Sequence, residues 1–201
     1  MNDNDTNAEI YTDLLRRHGD SYRSLGWGSE KKQALRFKIL SEIGDLREQS
    51  VLDVGCGLSH FYRYLNRKGV TLDYTGLDIT PAMVDRSAEL FPECKFLVGD
   101  LLSAEVEPQG YDYVMANGIF VFRKTDPQKY MFDTVEAMFR LAKKGIAFSC
   151  LSAWADQTTD GEFHADPIRV VEFCRELSRY VTLRHEYHPA DFIIYVKKDE
   201  S

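Results

Sequence analysis

Strand-length apolar runs alternate with amphipathic segments along most of this chain. The runs are Ser50 to Val54, Tyr74 to Leu77, Phe96 to Val98, Tyr111 to Ala116, Ile146 to Cys150, Tyr180 to Tyr187 and Phe192 to Val196. Between them, Leu58 to Leu65 and the segments opening at Pro81, Pro127 and Pro167 carry the helical period. From Pro127 the core-facing positions are Met131, Val135, Met138, Phe139 and Ala142; from Pro167 they are Val170, Phe173, Cys174 and Leu177. Each of these starts is punctuated alike, as Thr80–Pro81, Asp126–Pro127 and Asp166–Pro167. A side-chain oxygen can accept from the orphan N–H groups there, and proline at the first helical position loses no hydrogen bond. Such alternation predicts a mainly parallel sheet covered on both faces. The last two runs are joined only through His188–Pro189–Ala190–Asp191, too short for a crossover, so they must be antiparallel. The first 45 residues stand apart. Thr6–Asn7–Ala8–Glu9 reads as a capping box opening a helix to about Arg17, and a second helix, about Glu30 to Ile43, presents Leu35, Ile39 and Ile43.

The chemistry concentrates where the first run ends, at Asp53–Val54–Gly55–Cys56–Gly57. Two glycines between a strand and a helix allow positive φ and let a ligand lie against bare backbone. The free N–H groups of the helix start face whatever binds. At the carboxyl end of the first strand of an open α/β sheet, this is a nucleoside-type site. A dinucleotide-binding turn would place a third glycine where this chain has His60, so a nicotinamide or flavin cofactor lacks one requirement. Asp78 follows Gly57 by roughly 20 residues, the position of a ribose-binding acid in either class. A third acid, Asp100, ends the run from Phe96.

This ordered set resembles the class I S-adenosylmethionine-dependent methyltransferases, from about Ser50 to Val196. The resemblance implies a Rossmann-like, doubly wound α/β sheet of seven strands with an antiparallel final strand, and S-adenosylmethionine as cofactor. It implies cofactor contacts from Asp53, Gly55, Cys56, Gly57, Asp78, Ile79, Asp100, Leu101 and Asn117. The family often has a glycine where this chain has Ser59, a small residue in its place. Residues 1–45 would form an N-terminal helical lid and residues 46–201 the methyltransferase core, one domain overall. Gly26–Trp27–Gly28–Ser29 with Gln33 and Arg36–Phe37 looks like a bacterial small-molecule branch. Trp27 would pack the arm or cover the cofactor. Arg36 would be either a solvated helix cation or a partner for the cofactor's carboxylate. An acid that only held ribose could become Asn at a cost in affinity of roughly 1.5–3 kcal/mol and little in stability.

Composition narrows the partners. The chain has 201 residues and a formal net charge of −7, which argues against a phosphate-backbone partner. No apolar run approaches the ~20 residues of a membrane span, and the polar start from Met1 to Asn7 is not a signal peptide, so a cytoplasmic location is expected. None of the four cysteines forms a C-x-x-C pair, and no metal site is expected. Catalytic candidates must come from loops at the carboxyl edge: Asn117 to Arg123, Ser152 to Asp166, and the N-terminal arm. Among them His164 has the intrinsic pKa of a base. Asp166 reads as a helix cap, and His185 and His188 as structural. Ala116–Asn117–Gly118–Ile119 replaces the Asn/Asp-Pro-Pro-Tyr signature of amino methyltransferases acting on bases or glutamine. A small-molecule acceptor is therefore expected, with oxygen favoured over nitrogen, no nucleic acid and no membrane; a homodimer is left open. The alternatives are an NAD(P)-dependent oxidoreductase and a non-catalytic S-adenosylmethionine-binding protein.

Overall fold

The computed structural model describes residues 3–103, 110–122 and 125–199. Helix α1 (Asp3–His18), a single 3₁₀ turn (Tyr22–Leu25) and α2 (Glu30–Ser41) precede the sheet. Then come β1 (Ser50–Val54), α3 (His60–Arg67), β2 (Asp73–Asp78), α4 (Pro81–Leu90), β3 (Lys95–Val98) and β4 (Tyr111–Ala116). The remainder is α5 (Pro127–Leu141), β5 (Ala142–Ser152), β6 (His164–Ala165), α6 (Pro167–Leu177), β7 (Tyr180–Arg184) and β8 (Asp191–Lys197). The strands lie in the order β3-β2-β1-β4-β5-β8-β7, and β6 adds a two-residue pairing beside the end of β5. Strands β1 to β5 pair in parallel, and β8 runs antiparallel between β5 and β7. Chain direction across the sheet therefore reverses on either side of β1, which opens a crevice at the carboxyl ends of β1 and β4.

Alternation along the strands builds two cores. Val51, Met115, Ala147 and Ile193 point to one face, where Phe61 and Leu65 of α3 and Phe37, Ile39 and Leu40 of α2 cover them. Leu52, Val114, Ile146, Phe148, Ile194 and Val196 point to the other, under Met131, Val135 and Met138 of α5 and Val170 and Cys174 of α6. The period-two geometry of a strand forces neighbours onto opposite faces, so both faces of this sheet need helices. Helix α2, which ends at Ser41 rather than Ile43, is thus a wall of the core: its Leu40, and Ile43 just beyond it, have no exposed surface.

Several expected boundaries move. Helix α1 is already helical at Asp3, so Thr6 lies inside it and is not its cap. Asp126 and Asp166 do cap α5 and α6, accepting from Lys129 N at 3.2 Å and Ile168 N at 2.9 Å. Thr80 does not cap α4: its hydroxyl has no partner, and its own N–H donates to Asp78. Strand β5 is 11 residues long instead of five, because Ala142 pairs with Tyr111 at one end and Leu151 with His164 at the other. Ala142 has left α5, and Phe139 is only partly buried. The final strands are antiparallel as the short connection requires.

Phe148 is fully buried and meets Phe120 edge-on at 6.1 Å. Phe148→Ala should lower unfolding stability by about 3–5 kcal/mol, measured by urea denaturation, through lost transfer energy and an unfilled cavity.

Candidate functional site

The turn after β1 is folded back onto β2. Gly55 N and Cys56 N both donate to Leu77 O, at 2.7 and 3.1 Å. Gly55 and Gly57 hold φ of +71° and +53°, where any side chain would be strained. A Cβ on Gly55 would collide with Ile119 of the β4 loop, and one on Gly57 would come within 2.5 Å of Leu25 from the arm. Ser59, fully buried, is also left-handed at φ +52°, which is why glycine is the easier residue there.

Three acids surround this turn. Asp78 is 8% exposed, and its two oxygens accept from Gly57 N and Thr80 N, each at 2.8 Å. Burial raises its carboxyl above the usual range, while those backbone donors pull it back. Asp53 accepts from the Tyr74 hydroxyl at 2.7 Å, and burial pushes its carboxyl up to about 7, with the Tyr74 bond opposing and the nearby Asp78 charge adding. Asp100 accepts from Leu102 N at 2.9 Å, from Asn4 Nδ2 of α1 at 2.7 Å and from the Tyr130 hydroxyl at 3.2 Å.

All three acids line one cleft at the carboxyl edge, together with Gly55, Cys56, Gly57, Ile79, Leu101, Asn117 and Trp27. Ten of the expected cofactor positions are thereby brought together. The cleft also takes in Tyr11, Gln33, His60 and Thr80, which the sequence did not single out as ligands. Burial, with the Asp78 charge adding, pushes the Tyr11 hydroxyl up to about 12, so it is a neutral donor. Gln33 Nε2 and Thr80 Oγ1 are buried without hydrogen-bond partners. His60 donates or accepts through Nε2 at 2.8 Å from Asp20, which Arg63 also grips at 2.6 and 3.0 Å. Burial lowers the His60 pKa below 6.5 against the pull of Asp20. Burial alone would raise Asp20, but its bonds to Arg63 and His60 outweigh that and hold it low. Of these residues, His60 stands in sequence where a third glycine would, Gln33 belongs to the N-terminal motif and Thr80 to a helix start; Tyr11 carried no signal.

Two expected site residues fall elsewhere. Arg36 is neither solvated nor in the cleft: it is 7% exposed, paired with Asp191, and stacked at 5.0 Å on the Trp27 ring. The Tyr187 hydroxyl also donates to Asp191, and His188 Nδ1, which accepts from Ala190 N at 3.1 Å, lies 3.0 Å from the same carboxylate. His164 sits in β6, with Nδ1 3.2 Å from Ser152 O and Nε2 3.5 Å from Glu162. It does not line the cleft. The short β6 pairing, invisible to periodicity, turns it into the wall beside β5. His185 Nε2 lies 2.7 Å from Ser152 Oγ and does not line the cleft. Arg123 lies outside the described residues.

Chemically, the cleft offers bare backbone at two glycines, three carboxylates, and buried donors without partners. These fit an adenosyl ligand carrying hydroxyl, amino and carboxylate groups. Residues 46–184 match the family model described as "Methyltransferase domain". A protein of Mycobacterium tuberculosis named as a methyltransferase is 32% identical over 156 residues, 74% of this chain and 93% of that one. Trans-aconitate 2-methyltransferase of Klebsiella pneumoniae is 35% identical over 80 residues, 39% of this chain and 31% of the relative. Malonyl-[acyl-carrier protein] O-methyltransferase 1 of Ilyobacter polytropus is 29% identical over 123 residues, 60% and 44%. The chain therefore spans less than half the length of these last two. The crystal structure of magnesium protoporphyrin IX methyltransferase from Synechocystis, with bound S-adenosylmethionine, superposes with a TM-score of 0.69 at 15% identity, covering 99% of this chain and 98% of that one.

Because Asp78 has both oxygens engaged with backbone, it is structural as well as a ligand candidate. An asparagine would oppose its NH₂ to one of the two N–H groups. Asp78→Asn should cost about 1–3 kcal/mol in thermal or urea stability and lower S-adenosylhomocysteine affinity about tenfold or more by calorimetry. The Asp53 carboxyl, raised from 3.8 to about 7, holds its proton better folded than unfolded. Its contribution to stability is present below pH 3.8 and is lost as pH rises through about 7. Wild-type stability should accordingly fall relative to Asp53→Asn between those limits, read from urea unfolding across the pH series.

Proposed function

This chain belongs to the family of S-adenosylmethionine-dependent methyltransferases, and from that premise we propose that it methylates an oxygen atom of a small organic molecule. Bound in the cleft, S-adenosylmethionine supplies a methyl group on a positively charged sulfur. The observation that carries the reading is the meeting of Asp53, Asp78 and Asp100 with Gly55 and Gly57 in one cleft. Asp78 keeps lone pairs beyond its two backbone bonds for ribose hydroxyls. Asp100 and Leu101 flank the far end for the adenine, and Asp53, Gly55, Cys56 and Gly57 the near end for the amino-acid tail. Ile79 and Asn117 border the same space.

Support for oxygen comes from the relative named an O-methyltransferase and from the acid named in the trans-aconitate enzymes. An ionised carboxylate or a readily ionised hydroxyl needs less help from the protein than an ammonium, which must first lose a proton. The net charge of −7 and the residues Ala116–Asn117–Gly118–Ile119 favour a small acceptor over nucleic acid.

The arm before α2 acts as a lid. Leu25 covers Gly57, the Trp27 ring lies 3.5 Å from where a Cβ of Gly118 would stand, and Asn4 and Asn7 of α1 reach across to Asp100 and Phe122 O. Closing such a segment excludes water from the reacting sulfur. The division expected at residue 45 narrows accordingly, since α2 belongs to the core.

Calorimetry should find one site for S-adenosylmethionine and for its demethylated product, and methyl-³H transfer to pooled small metabolites should label at least one oxygen ester or ether. Removing residues through Ser24 should leave a folded sheet by circular dichroism, weaker cofactor binding and no transfer. Unchanged affinity in the truncated chain would refute the lid, and binding without any transfer would make the protein a non-catalytic cofactor binder.

A further inference from the structure

Behind the cleft runs a groove of about 380 Å³ between α2, α3 and the arm, with Asp20, Tyr22, Arg63 and Arg67 on its walls. Gln33, Phe37 and His60 line both the groove and the cleft, so they form the neck between them. Two polar side chains at this neck have capacity to spare. Gln33 is 4% exposed, and its Nε2 has no hydrogen-bond partner. The Asp20 carboxylate can only accept, so His60 must donate to it through Nε2, leaving the lone pair on Nδ1. Two bonds from Arg63 hold Asp20 in place, and Asp20 in turn fixes the ring.

Building on the oxygen-acceptor reading, we propose that the neck is the acceptor's reacting end and that the acceptor is an acidic hydroxyl compound, a phenol or enol, with His60 as its base and Gln33 as the donor to its oxygen. The acceptor's O–H bond breaks, its proton passes to His60 Nδ1, and the electron pair stays on oxygen beside Gln33 Nε2–H. That oxygen forms the new bond to the methyl carbon as the carbon–sulfur bond breaks, and the released pair ends on sulfur as a neutral thioether. The proton then leaves His60 for solvent along the groove. The charged groups that act on His60 are Asp20, Arg63 and Glu30. Burial, aided by the Arg63 charge, outweighs the opposing pull of Asp20 and Glu30 and lowers the ring's pKa, keeping it neutral at pH 7 as a base must be. The dyad spans the closing surface, because Asp20 belongs to the arm and His60 to α3.

The test uses the full chain with S-adenosylmethionine at mildly alkaline pH and two probes: phenol, still un-ionised there, and 4-nitrophenol, largely ionised there. His60→Gln should cut transfer to phenol by about 10²-fold more than it cuts transfer to 4-nitrophenol. In NMR titrations the wild-type His60 ring should titrate below 6.5, and Asp20→Asn should move it lower still. Gln33→Leu should slow both phenols alike. Equal loss on both probes in His60→Gln, or a parallel loss of S-adenosylhomocysteine affinity, would make His60 structural and overturn the proposal. Transfer to neither phenol by the wild-type protein would overturn the acceptor class, whereas the oxygen-methyltransferase reading fails only if no metabolite is labelled at oxygen.

Discussion

The carboxylate of Asp78 is the constraint on which the site rests. It ends β2, yet its two oxygens hold the backbone of the turn after β1 and of the turn before α4. Main chain in a left-handed conformation has no ladder to pair with, and an unpaired buried N–H costs about as much as a lost hydrogen bond. One side chain therefore satisfies two turns and sets their spacing, so the glycine cradle and the start of α4 move as a unit. The cost is a carboxylate in a buried position beside a second one, Asp53. Burial first, with the Asp78 charge adding, raises the Asp53 carboxyl to about 7, and this eases the repulsion between the two.

That double duty also explains what the sequence could and could not tell. The ordered acids and glycines announce the cleft because a strand end, a positive φ and a ligand edge each demand a restricted residue type at a fixed spacing. The sheet and its antiparallel end were legible for similar reasons, since period two and a short connection leave little choice. The walls were not. Tyr11 sits on a helix with no buried residue and hence no periodic signal. Gln33 and His60 gain their meaning from a groove between elements far apart in the chain. Arg36 was legible as a cation in the right neighbourhood, but its partner Asp191 is 155 residues away. His164 looked free because β6 is only two residues long, too short to leave a pattern.

The arm and the core are joined by different physics. Helix α2 is fastened by apolar burial, with Phe37, Ile39 and Leu40 inside. Helix α1 has no buried residue and reaches the core through polar contacts such as Asn4 to Asp100 and Asn7 to Phe122 O. Net hydrogen-bond contributions of about 0.5–1.5 kcal/mol each make such a seam easy to open compared with a hydrophobic one. The lid proposed for this arm needs only that polar seam to open, and segments held this way lie at the low end of local stability.

The single reversed strand has a topological consequence. In a wholly parallel sheet every strand delivers its last residue to the ligand edge. Because β8 runs the other way, it delivers its first, Asp191, and the turn of residues 185–190 before it comes along. A carboxylate near one terminus of the chain thus meets Arg36 near the other, and the stacked Trp27 rides on that bond. Breaking a buried pair by removing one partner is costly, about 3–5 kcal/mol, which makes the join durable. The two partners lie 155 positions apart, so the aromatic ring at the mouth of the cleft takes its posture from a strand far along the sequence, and the mouth is shaped only when both segments are in place.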